Sequence, residues 1–139
     1  MTETMTTPAR AGSATDEVAA LVDQMYAAWR DRDEARIRTF FSDGASLLLW
    51  GTDRWERILG RAEADREFRN WIATCPPWVS IEATHRERGA ADGLAWVADE
   101  VTGRWERPDA EGTDRYRITT IWAKQGGRWA LTHANFANG

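Results

Sequence analysis

Arg115-Tyr-Arg-Ile-Thr-Thr-Ile-Trp-Ala-Lys-Gln-Gly-Gly-Arg-Trp-Ala-Leu-Thr-His-Ala-Asn-Phe136 is the stretch that decides the fold. Gly126-Gly127 supplies the positive φ angles of a tight turn, and β-branched and aromatic residues fill both flanks, so the segment predicts a long β-hairpin. A two-residue turn pairs Gln125 with Arg128. Continued outward, that register sets Ile121 against Thr132, Thr119 against Ala134 and Arg117 against Phe136 on one face. Trp122, Leu131, Thr120, His133, Ile118 and Asn135 fall on the other. Neither face reads as wet, which is unusual for an antiparallel sheet. Small groups around an arginine predict a cavity on the first face, and large apolar groups predict a partner surface on the second.

Working back from the hairpin, residues 78–88 and 94–107 read as two further long strands, and the hairpin's own strands cover 114–125 and 128–136. Gly89-Ala-Ala-Asp-Gly93 and Pro108-Asp-Ala-Glu-Gly-Thr113 separate them with turn chemistry. Short separators make the four strands an antiparallel meander. Ahead of Pro76-Pro77, which ends any helix, Ala64, Phe68, Trp71, Ile72 and Cys75 mark the stripe of a helix that follows Gly60. Residues 45–50 and 54–58 predict a short hairpin turning at Gly51-Thr-Asp53. Asp33 caps a short helix carrying Ile37, Phe40 and Phe41. Val18, Leu21, Val22, Met25, Ala28 and Trp29 recur at helical spacing behind a Ser13 or Thr15 cap. Residues 1–14, rich in Thr, Ala, Gly and Ser without periodicity, are expected to be a disordered tail ahead of one domain over 15–139.

The 139 residues suit a single domain with one core. A net charge of −4 argues against a nucleic-acid partner, because phosphate binding needs a clustered positive field. Basic and acidic residues are interspersed, as in Asp31-Arg-Asp-Glu-Ala-Arg36, the pattern of solvated faces. The one cysteine, Cys75, excludes an internal disulfide, and no apolar run nears the roughly 18 residues of a membrane span, so no membrane partner and a cytoplasmic location are expected. Nine tryptophans must dominate the core, a pocket wall or an interface.

The element order predicts an α+β fold in which three N-terminal helices pack on a strongly curved, mainly antiparallel sheet, leaving a cone-shaped cavity. Here the chain resembles the nuclear transport factor 2-like superfamily, and within it the SnoaL-like group, over about residues 18–138. Tyr26-Ala-Ala-Trp29, Phe41-Ser-Asp-Gly-Ala45, Gly60, Leu94-Ala-Trp-Val97 and Gly127-Arg-Trp-Ala-Leu-Thr-His133 carry the resemblance. It implies a cystatin-like cone and a small-molecule pocket, but not one chemistry, since the fold hosts isomerases, dehydratases, hydrolases, cyclases and non-catalytic oligomerisation domains. The ketosteroid isomerase base falls on Leu49, and that enzyme's oxyanion-hole aspartate falls near Thr119. The epoxide-hydrolase aspartate falls on Ala134. The resemblance therefore argues against those two mechanisms in those forms.

Candidate site residues follow from the residues and the resemblance together. Arg117, at the mouth of the small-residue face, either clamps an anionic group or is a surface strand arginine. Glu100 shares strand parity with Trp96 and Ala98 and would serve as general acid or base if that parity faces the helices; otherwise Asp99 points inward, or the pair is merely solvated. The resemblance implies that Tyr26 presents its hydroxyl to the pocket, against the alternative of a core tyrosine. It also implies that His133 lies where relatives pack subunits, unless a β-bulge shifts the strand. Trp29, Trp50, Trp71, Trp96, Thr119 and Phe136 are expected to line the pocket. His85 and Cys75 have no spaced partners, so no metal or other cofactor is expected. These readings predict cofactor-independent proton transfer (isomerisation, cyclisation or dehydration) on an apolar, polar-tipped small organic ligand. The alternative is a non-catalytic binding or dimerisation module. Either way a homodimer through Trp122, Trp129, Leu131 and His133 is expected.

Overall fold

The structure, a computed structural model, describes residues 2–44, 46–53 and 55–139, with side chains from residue 14 onward. Ala45 and Arg54, the first residues of the two short strands expected from sequence, lie outside the described residues. Nine elements follow in order: α1 (Thr2–Arg30), α2 (Glu34–Thr39), β1 (Leu48–Trp50), β2 (Arg57–Leu59), α3 (Arg61–Thr74), β3 (Trp78–Ala91), β4 (Leu94–Arg107), β5 (Ala110–Gln125) and β6 (Arg128–Asn138). Helix α1 takes in residues 2–14, which the composition assigns to a disordered tail. Asp33 caps α2 as expected, its Oδ1 accepting from the Arg36 N–H at 3.1 Å.

The six strands form one sheet in the order β2-β1-β6-β5-β4-β3. The expected strongly curved, barrel-like sheet is not what the chain builds. The sheet is mixed, because β1 runs parallel to β6, and open, because β2 and β3 are free edges with no pairing between them. The parallel pair starts where Phe41 bridges Leu131, with Ser42 N–H donating to the Leu131 carbonyl at 2.8 Å.

The Gly126-Gly127 turn forms as read, with φ of 58° and 79° and Gln125 opposite Arg128. The other two turns tighten to two residues each, Asp92-Gly93 and Pro108-Asp109, so β3 and β5 outrun the lengths expected from sequence while β4 matches its expected span. Cross-strand indoles make this extension workable. Trp96 lies over Gly89, its strand partner, so closely that a Cβ there would sit 2.6 Å from Nε1. Large rings covering strand glycines replace the packing a side chain would have supplied.

The faces differ from the expectation in two ways: on β5 the Trp122 side, not the Thr119 side, turns to the helices, and one irregularity re-sorts the side chains of β6. The β5–β6 ladder runs in the predicted register from the turn to Trp122↔Leu131, then slips by one residue, so Ile121 pairs with His133, Thr120 with Ala134 and Ile118 with Phe136. Thr132 is the extra residue of a β-bulge, and every β6 side chain beyond it changes face. Trp122, Leu131, Ala134, Phe136 and Ile118 all turn toward the helices and are buried. With Val18, Val22 and Met25 of α1, Phe41, and Phe68 of α3, they make up much of the core. The expected dimer face is therefore corrected: Trp122 and Leu131 are 0 % and 1 % exposed inside their own chain. Trp129 packs against the same core and donates Nε1–H to Glu17 at 2.9 Å.

Candidate functional site

A cavity of about 230 Å³ opens between α1, α3, the β1–β2 loop and the helix-facing side of β3, β5 and β6. Tyr26 and Trp29, three apart on α1 and so on one face, form one wall. Trp71 closes another from α3. Phe136 and Ile118, inward cross-strand partners, form the floor together with Tyr116, two residues from Ile118 on the same face of β5, and Trp78 of β3 packs against Tyr116. Neighbouring rings are close to perpendicular: Trp29 and Phe136 at 76°, Trp71 and Phe136 at 89°, Trp78 and Tyr116 at 80°. Edge-to-face pairs of this kind hold the walls of a box rather than a collapsed stack.

Glu56 brings the one carboxylate among the described lining residues. The β1–β2 loop fixes it: Gly51 N–H donates to the Glu56 carbonyl at 2.7 Å, and Glu56 Oε1 accepts from Asp53 N–H at 3.0 Å. The close approach requires glycine at 51, since a Cβ there would lie 2.6 Å from Glu56 Cβ.

Asp99 points inward and is buried. It accepts Tyr26 Oη–H at 2.7 Å, and Arg86 donates to both its oxygens at 2.8 and 2.9 Å while also reaching Asp23 at 2.8 Å. The bidentate pair makes Asp99 a structural anchor rather than a free base. Burial first, and then the Asp99 charge, push the Tyr26 phenol far above its ordinary range. Tyr116 donates to Asp114 at 3.3 Å and is pushed up to about 12, mainly by burial. Burial likewise raises the Cys75 thiol, which lines the rim and donates to the Ile72 carbonyl.

Of the residues expected at the site, Tyr26, Trp29, Trp71 and Phe136 line this cavity, and Asp99 lies behind Tyr26. Glu100 does not come with them. Strand alternation sends it to the opposite, open face, exposed and paired across the ladder with exposed Arg117. Thr119, Trp96, Trp50 and His133 are on that open face too. The His133 ring Nδ1 is 2.9 Å from the Leu48 carbonyl oxygen. Glu56, Trp78 and Tyr116 are site residues that the sequence reading missed. Glu56 falls in the strand expected over 54–58, whereas β2 begins only at Arg57, and Tyr116 and Trp78 join the cavity only through the β3–β5 pairing.

The sequence matches the SnoaL-like domain family over residues 18–136. Among proteins with curated descriptions, none matches it. Solved structures share the fold at low identity. A nuclear transport factor 2-like protein of unknown function from Pseudomonas putida is 22 % identical, covers 91 % of this chain and 87 % of its own, and superposes with a TM-score of 0.79. A nuclear transport factor 2-like superfamily protein from Salmonella enterica is 10 % identical over 91 % of this chain and 92 % of its own, at 0.78. The association domain of C. elegans CaMKII is 13 % identical over 88 % and 94 %, at 0.73. With its family match covering nearly all of the sequence, the chain belongs to the SnoaL-like domain family.

Proposed function

We propose that this chain binds a small organic molecule in the aromatic cavity and acts on it by proton transfer, with Glu56 as the base. The observation that carries this reading is the pairing of an aromatic box of about 230 Å³ with a single lining carboxylate. Small-molecule sites have this make-up: mostly apolar walls with a few placed polar groups. Asp99 is unsuited to the role because Arg86 and Tyr26 already occupy both its oxygens. Glu100 and Arg117 are unsuited because they face away from the cavity. The reading is tested by incubating small molecules bearing an acidified C–H with the protein in deuterium oxide and following deuterium incorporation by NMR. Glu56→Gln should abolish enzyme-dependent exchange while the ligand still binds. Unchanged exchange in that variant would rule out Glu56.

A specific feature of the open sheet face supports self-association as well. One row of cross-strand partners crosses the whole sheet: Leu59, Leu48, His133, Ile121, Trp96 and Gly89. Leu59, Trp50, Leu94 and Trp96 are 58, 49, 48 and 43 % exposed on or beside it. A continuous apolar belt with no helix over it is costly to leave in water. A second copy of the chain covers it in this reading, and Trp96→Glu should shift the mass in light scattering from dimer to monomer. A monomeric wild type at micromolar concentration would count against it.

A further inference from the structure

We propose that the ligand of the aromatic cavity is a compact organic cation, a protonated amine or a quaternary ammonium group; this rests on the cavity being the binding site. Four of the hydroxyl and thiol groups around it donate their protons within the chain. Tyr26 gives its proton to Asp99, and Tyr116 gives its proton to Asp114. Thr74 donates to the Asn70 and Trp71 carbonyls, and Cys75 donates to the Ile72 carbonyl. What the two tyrosines keep for a guest is oxygen lone pairs. Glu56 adds a carboxylate.

Charge points the same way. Among the described residues lining this cavity there is no lysine or arginine, whereas Glu56 is there. Behind Tyr26, two carboxylates, Asp23 and Asp99, share the single guanidinium of Arg86, leaving that cluster one charge negative. At the rim the exposed Arg32 donates to the Cys75 carbonyl; its charge draws the Cys75 thiol pKa down, and burial outweighs it. Five aromatic rings, from Trp29, Trp71, Trp78, Tyr116 and Phe136, line the cavity in edge-to-face pairs, and a cation that meets the faces of such rings is held without a full shell of hydrogen bonds.

The test is a matched pair of probes, choline and its neutral isostere 3,3-dimethylbutan-1-ol, titrated into the intact chain and followed by tryptophan fluorescence and calorimetry. Choline should bind about tenfold or more tighter than the isostere, and Glu56→Gln should reduce that preference to a few-fold. Equal affinity, or a preference for the neutral probe, overturns the cation inference while leaving the cavity a binding site. Failure of both probes, with a neutral aromatic probe such as indole still binding, overturns it as well. Failure of all three overturns the binding site itself. Should Glu56→Gln not fold, judged by circular dichroism, the choline-to-isostere ratio in the unmodified chain alone decides.

Discussion

Tyr26 donates its hydroxyl proton to Asp99 Oδ2 at 2.7 Å, tying α1 to β4 across 73 residues of sequence at the back of the cavity. Both side chains are nearly out of water, and Arg86 supplies the remaining donors that the buried carboxylate needs. The arrangement fixes the Tyr26 ring as a cavity wall.

Removing one partner should therefore cost stability in a graded way. Tyr26→Phe leaves Asp99 with Arg86 alone and should destabilise the fold by about 1–3 kcal/mol. Asp99→Ala leaves the part-buried Arg86 facing only Asp23 and should cost about 3–5 kcal/mol. Urea denaturation of the two variants checks both values, and an Asp99→Ala cost below that of Tyr26→Phe would contradict the anchoring role.

Trp122 and Trp96 should separate cleanly when changed. Trp122 is fully buried and meets Phe40 edge-to-face, so Trp122→Ala should cost about 3–5 kcal/mol whatever the oligomeric state. Trp96→Glu lies on the open face and should change association while leaving the monomer folded. Thermal unfolding at two protein concentrations distinguishes them: only the Trp96 change should flatten the concentration dependence.

Alkaline pH should weaken the fold. Tyr116 is pushed from its ordinary 10 up to about 12, and Tyr26 moves in the same direction. Below pH 10 both folded and unfolded chains hold these protons, so the stabilisation of the neutral phenols is fully present. Between 10 and 12 the unfolded chain loses protons that the native chain retains, and stability falls as pH rises. Denaturant midpoints at pH 9 and 11 should show the drop, and Tyr116→Phe should make it smaller. A flat profile over that window would contradict the burial of both phenols.

Much of the fold was legible because turns and helix stripes carry their own chemistry. Gly126-Gly127 set the hairpin, Asp33 set the α2 cap, and Val18, Val22 and Met25 marked the face of α1 that is buried. The bulge at Thr132 was not legible, since threonine in a β-rich run carries no signature of an extra residue. One residue of slip was enough to exchange the two sides of β6, moving Phe136 into the core and His133 out to the open face. The β4 parity was open at Asp99 and Glu100 for a related reason: alternation is plain in the sequence, but which set faces the helices depends on the neighbouring strand. Glu56 was missed because residues 54–58 read as one strand, whereas β2 starts at Arg57 and leaves Glu56 in the loop that the parallel β1–β6 pairing carries to the cavity mouth.

The most direct measurement is chemical-shift mapping of a small aromatic guest, such as indole, titrated into isotopically labelled protein. Shifts should concentrate on Tyr26, Trp71, Trp78, Glu56 and Phe136 and should saturate. Saturating shifts confined to Trp50 and Trp96 on the open face, or none at millimolar guest, would contradict a binding cavity between the helices and the sheet.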